Sequence, residues 1–182
     1  FSFGGPPLPT LKSVDDTGLV IHVGTFSKSL FPSLRLGYLL APPALVEPLN
    51  AIMSRVLHGV PTHTQAVVAD FIGEGHFAAH VRRMRRLYAE RHEVLCRAVR
   101  AQLGGVLEIV PSSSGLHTVG WLRGGHDEAR VVEATAQRQV TVSPLARYVI
   151  APRPDDLGPG LVLGFGGVDA AQIERGVGVL AE

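Results

Sequence analysis

Cysteine is nearly absent from this chain of 182 residues: Cys96 stands alone, so no disulfide can close within it, and a reducing compartment such as the cytoplasm suits it. Long apolar runs are missing too. None approaches the ~18 residues that a membrane-spanning helix needs, and Phe1 to Gly5 does not have the make-up of a signal peptide. Neither sign of charge dominates, and a formal net charge of +1 excludes a global pull toward nucleic acid, leaving only local patches. Charged residues are few (18%) beside 46% hydrophobic, which excludes disorder as the main content. Lysine is the scarcest positive charge. Only Lys12 and Lys28 occur, all other fixed cations being arginine.

That scarcity makes the stretch VGTFSKSLFPSLRLGY (Val23 to Tyr38) informative. Leu19 to Val23 is short, apolar and β-branched, the pattern of a buried strand, and Gly24 is expected to end it and open a loop. Lys28 sits in that loop. An arginine cannot lose its proton and attack a carbonyl, whereas a desolvated lysine can. Thr25, Ser27 and Ser29 place hydroxyls around it, and Arg35 follows; hydroxyls with a guanidinium fork suit a phosphate. A carbonyl-binding lysine beside a phosphate receptor points to pyridoxal 5'-phosphate. From spacing alone a second reading stands equally, a solvated loop lysine with Arg35 capping some carboxylate. A nucleotide-binding P-loop is excluded, because Ser27 precedes the lysine where that motif needs glycine.

The rest of the chain supplies a scaffold. Leu36 to Ala41 reads as a second strand, Pro43 to Val56 as a helix containing the awkward Pro48, and Thr62 to Ile72 as a helix capped by Thr62 or Thr64. His76 to Leu103 is the longest helix. Its apolar stripe runs through Phe77, Val81, Met84, Tyr88, Leu95 and Val99, and its other face carries Arg82, Arg83, Arg85, Arg86, Arg91, Arg97 and Arg100. Arginine interspersed with Glu90 and Glu93, without aromatic platforms, is expected as a solvated face rather than a nucleic-acid surface. Then follow a hairpin (106–110 and 116–122), a helix (128–138), a short strand (140–142), a proline-rich loop (151–160), a strand (160–165) and a closing helix capped by Asp169. This is an α+β layer with helices on one face. His76 and His80 are four apart on a helix, but no third ligand stands nearby, so no metal site is assigned.

GTFSKSLFPSLRLGY resembles the cofactor-lysine segment of fold-type I pyridoxal-phosphate aminotransferases. More narrowly, it resembles the aminotransferase-like effector domains of MocR-type transcription regulators of the GntR superfamily. Gly73 to Leu95 and Ser113 to Leu122 carry the same likeness. The resemblance implies a partial α/β fold: residues 1–76 as the C-terminal remnant of a large cofactor-binding domain, 77–103 as a connecting helix, and 104–182 as a small α+β domain. It implies Lys28 as the internal-aldimine lysine, with Thr25, Ser27 and Arg35 at the phosphate. A small amino compound would act as effector by aldimine exchange. DNA would be bound only through an N-terminal domain outside this chain, and the intact protein would be a cytoplasmic homodimer. The alternative is a working class I/II aminotransferase, in which Lys28 moves the substrate's α-proton. The late strand where such enzymes hold the α-carboxylate, Leu161 to Phe165, has no arginine; Arg147 and Arg153 lie upstream, Arg147 being the candidate, and His117 could contact ligand. A cofactor-binding half lying outside the chain would leave Leu19 to Val23 and Leu36 to Leu40 uncovered, and would make cofactor binding by the chain alone weak or absent.

Overall fold

The structure, a computed structural model, describes residues 1–4, 8–57, 59, 61–150 and 158–182. It divides into two compact units, Pro6–Arg82 in one and Phe1–Gly5 with Arg83–Glu182 in the other.

In the first unit, β1 (His22–Thr25) pairs antiparallel with β2 (Gly37–Leu40), and two helices follow, α1 (Pro43–Leu57) and α2 (Thr62–Gly73). The strand starts later than its sequence suggests. The Asp15 carboxylate accepts the backbone N–H groups of Leu19 (3.3 Å) and Val20 (3.0 Å), which occupies them in a turn, so pairing begins at His22. The bond from the Thr17 hydroxyl, followed by these backbone bonds, holds the Asp15 carboxyl well below the usual carboxylate range. Gly24 does not end β1; it lies within it, opposite Tyr38. Pro48 is absorbed inside α1. Neither threonine caps α2, because Pro61 takes the N-cap position without a side-chain bond and draws Thr62 and Thr64 into the helix. Little apolar side chain is buried here. Leu36 and Val68 are, while Leu19 (81% exposed), Val23 (71%) and Leu40 (52%) stand open.

The helix α3 (His76–Gln102) begins in the first unit and continues into the second. It contains neither glycine nor proline, and Gly75 and Gly105, both at positive φ, bracket it. Strands β3 (Leu107–Ile109), β4 (His117–Leu122), β5 (Ser143–Pro144) and β6 (Gly160–Gly164) form an antiparallel sheet in the order β3-β4-β6-β5. Helices α4 (Glu128–Gln137) and α5 (Ala170–Ala181) complete the unit. One core joins Val94, Leu95, Ala98 and Val99 of α3, Leu161 and Leu163 of β6, Phe165, and Ile173 and Val177 of α5. Burial alternates along β4, with Thr118, Gly120 and Leu122 inside. Gly120 leaves room there for Leu107, whose side chain a Cβ would approach to 2.8 Å. Phe1 and Phe3 pack on the same core, Phe1 edge-on to Tyr88 at 4.9 Å.

The short strand forms at Ser143–Pro144 rather than 140–142. Gln139 adopts positive φ (63°) and Val140 N–H donates to Thr135 O (3.0 Å), so Val140 is held in the turn that caps α4, and pairing starts with Ser143 opposite Val162. The expected proline-rich loop lies mostly outside the described residues. Asp169 caps α5 in a capping box with Gln172. Among the described residues no helix is long and apolar enough to cross a membrane.

Candidate functional site

The strands β1 and β2 deliver the lysine segment as a closed loop. Thr25 pairs with Gly37, and Phe26 N–H donates to Leu36 O (3.0 Å), so residues 26–36 leave and re-enter the ribbon at one point. Two glycines stand at that base, and the close approach of the backbones depends on the second. A Cβ on Gly24 would meet the Tyr38 ring, and one on Gly37 would lie 2.9 Å from Gly24 O. The loop then makes two turns. Leu30 N–H donates to Phe26 O (2.7 Å), wrapping the chain around Lys28, and a 3₁₀ turn at Pro32–Leu34 leads to Arg35. Arg35 takes the left-handed conformation (φ 49°, ψ 34°), unusual for a side chain with a Cβ and a sign that its surroundings dictate the backbone there.

Thr25, Ser27, Lys28 and Arg35 are thus gathered on one loop. Ser27 N–H donates to Thr25 Oγ1 (3.2 Å), which leaves the threonine hydroxyl hydrogen to donate outward. Lys28 and Arg35 are both exposed, and among the described residues neither has a carboxylate partner. Two cations and two hydroxyls on one loop are the kinds of group that bind an anion, and a primary amine among them is the kind that condenses with a carbonyl. This donor set fits a ligand carrying both a phosphate and an aldehyde.

Residues outside the motif hold the loop. Phe77 of α3 meets the Phe26 ring edge-on at 5.9 Å, and one turn further His80 Nε2 lies 3.0 Å from Ser29 O. The Tyr38 ring stands 5.5 Å from Phe26. In sequence His80 registers only as half of a histidine pair; its spacing of three from Phe77, which puts both on one helix face, is the available signal.

The remaining candidates belong to the second unit. His117 opens β4 opposite Gly164, its side chain exposed, and with Trp121 and Ser112 it lines a shallow cavity of about 490 Å³. Arg147 is exposed in a 3₁₀ turn, Leu145–Tyr148. The buried Glu128 carboxylate anchors this turn and the start of β6, accepting from Ala146 N–H (3.2 Å) and Gly160 N–H (2.8 Å). Arg153 lies outside the described residues. Of the arginines on α3, Arg91 is not a solvated charge: its guanidinium donates to Gly166 O at 2.6 Å. His76 lies 3.1 Å from the Glu74 carboxylate.

The profile of the family described as aminotransferase class I and II matches residues 1–158. The uncharacterized HTH-type transcriptional regulator YhdI of Bacillus subtilis is 38% identical over 97% of the chain and 37% of its own length. The probable rhizopine catabolism regulatory protein MocR of Rhizobium meliloti is 37% identical over 99% of the chain and 36% of its own length. The chain therefore spans little more than a third of these relatives. Among solved structures, LysN, the alpha-aminoadipate aminotransferase of Thermus thermophilus, complexed with N-(5'-phosphopyridoxyl)-L-leucine, superposes with a TM-score of 0.84 at 25% identity, over 99% of this chain and 46% of that one.

Proposed function

This chain belongs to the aminotransferase class I and II family, and from that premise we propose that it is the C-terminal part of a pyridoxal-phosphate-binding effector domain in a MocR-type transcription regulator. The observation that carries the reading is an exposed Lys28, without a carboxylate partner among the described residues, on the same closed loop as Thr25, Ser27 and Arg35. Similarity to two HTH-type regulators along almost the whole chain supports a regulator over a free-standing enzyme.

Pyridoxal phosphate, when bound, supplies an aldehyde carbon that condenses with primary amines. Lys28 Nζ would hold that carbon and yield it to an arriving amino compound. The released Lys28 amine can then take a proton, which places a new charge on the loop. Arg35 and the hydroxyls of Thr25 and Ser27 would fix the phosphate while this exchange proceeds. Arg35 suits the task because its backbone is set in the left-handed conformation, so its direction of departure from the loop is preset. In this reading residues 1–76 complete a larger cofactor domain, DNA contact falls to a segment outside this chain, and the intact protein works in the cytoplasm as a homodimer.

The test is reduction with borohydride in the presence of pyridoxal phosphate, followed by peptide mapping. The reading expects the adduct on Lys28 and its loss in Lys28→Ala; an adduct confined to Lys12 would refute it. Adding an amino acid to the intact protein separates the two activities. Spectral change without release of a 2-oxo acid marks a sensor, and sustained release marks an aminotransferase.

A further inference from the structure

Two side chains on one face of α3 grip the lysine loop from both sides. Phe77 packs edge-on against Phe26, two residues before Lys28, and His80 reaches Ser29, the residue immediately after it. Ser29 contributes its carbonyl oxygen, which can only accept, so His80 Nε2 carries the hydrogen and donates. The bond joins residues 51 apart in sequence. Within the loop the turn is closed by the single backbone bond from Leu30 N–H to Phe26 O (2.7 Å), with a long contact of 3.5 Å from the Ser29 hydroxyl to the same carbonyl. A turn held locally by so little changes its shape readily. A fixed donor on a helix removes that freedom at the peptide next to the lysine.

We propose that His80 is a positioning residue for Lys28: its Nε2–H, donating to the Ser29 carbonyl, holds the loop in the pose that presents the lysine amine beside Thr25 and Arg35. Phe77 supplies the apolar half of the same clamp. The proposal rests on the reading of Lys28 as the cofactor amine. It goes beyond that reading in naming a group that touches neither cofactor nor substrate and sets the rate at which the amine is captured.

Because the bond uses Nε2 and not Nδ1, amide replacements discriminate. Glutamine places an N–H near the Nε2 position, whereas asparagine is one carbon shorter and falls short. The experiment compares the intact protein with its His80→Ala, His80→Gln and His80→Asn variants, trapping pyridoxal phosphate with borohydride and counting adducts on Lys28 and Lys12 by peptide mapping, Lys12 serving as internal reference. Hydrogen exchange at the Leu30 amide gives a readout that needs no cofactor. Loss of one such bond should lower the Lys28-to-Lys12 adduct ratio about fivefold in His80→Ala and His80→Asn, with similar loss of protection at Leu30, while His80→Gln stays within about twofold of the unsubstituted chain. An unchanged ratio in His80→Ala overturns the proposal, as does a His80→Gln that behaves like His80→Asn. If His80→Ala does not fold, the Gln and Asn pair decides alone. Failure of the intact protein to form any Lys28 adduct overturns the functional reading itself, a different result from an adduct that forms and ignores His80.

Discussion

Gly37→Ala tests whether the base of the lysine loop governs its shape. A Cβ at this position would lie 2.9 Å from Gly24 O and 3.9 Å from Thr25 Cα, the first well inside the 3.4 Å at which ordinary contact begins. The obstructing atom is a backbone oxygen in the partner strand and cannot rotate away, so β1 and β2 must separate by about half an ångström. Gly37 does not sit at positive φ, so alanine meets no conformational penalty and the clash acts alone. Overpacking of this kind costs about 1–3 kcal/mol, and the stiffer unfolded chain of an alanine variant returns about 0.4–1 kcal/mol. A net loss near 1 kcal/mol should appear locally, as roughly fivefold weaker hydrogen-exchange protection of the Phe26 amide that closes the loop. Borohydride trapping at Lys28 should fall with it. Gly24→Ala is the control, because its Cβ meets the far end of the half-exposed Tyr38 ring, which can swing aside and leave the strand pairing intact. Phe26 protection that is unchanged or improved in Gly37→Ala would show that the ribbon yields freely and that the glycine has no role in shaping the site.

Phe165 is fully buried among Phe3, His92 and the β6 core, so Phe165→Ala should cost about 3–5 kcal/mol in a urea titration; a loss below about 1 kcal/mol would mean the core centre lies elsewhere. Burial between those rings and beside Cys96 lowers the His92 pKa from its usual 6.5, so the unfolded chain takes up a proton more readily. Stability should therefore be fully present above that value and decline as pH falls below it, and His92→Leu should remove that part of the slope; an identical acid slope in both chains would refute the assignment. Arg35→Gln should weaken pyridoxal phosphate far more than pyridoxal, and equal losses would mark the arginine as structural. Titration of the unsubstituted chain with pyridoxal phosphate should give at most a weak visible band, because Lys28, Thr25 and Arg35 all stand open to water; tight stoichiometric colour would show that the chain carries more of the site than this loop.

The elements that sequence reveals here are those whose periodicity is not contested by local hydrogen bonding. α3 is legible because a continuous apolar stripe runs between glycine boundaries, and α5 because Asp169 and Gln172 form a recognisable cap. Two of the misplaced boundaries trace to polar bonds invisible in hydropathy. Asp15 captures the amides of Leu19 and Val20 and delays β1, and the bond from Val140 to Thr135 holds the turn that caps α4 and delays β5. Arg91 misleads similarly, since nothing in its charge pattern shows that Gly166, 75 residues away, offers it a carbonyl. At the site, Lys28 is legible by rarity and Arg35 by motif, but its left-handed backbone is not. Non-glycine residues seldom adopt positive φ, and nothing in PSLRLGY signals it.

The two units differ in how far their apolar pattern closes on itself, and that difference bears on the site. In Arg83–Glu182 helices and sheet share one core, with Leu161 and Phe165 fully buried. In Pro6–Arg82 the ribbon that carries Lys28 exposes Val23, Tyr38, Leu39 and Leu40. A two-stranded ribbon is marginal by itself. Its order must come from contacts beyond the strands, and those visible within the unit converge on the loop: Tyr38 over Gly24 and beside Phe26, Phe77 against Phe26, and His80 on Ser29. The clamp from α3 therefore adds order to the loop that carries Lys28 on an otherwise under-packed ribbon. A perturbation of Phe77 or His80 should consequently be felt at Lys28 more strongly than one of equal size at the exposed strand residues Val23 or Leu40.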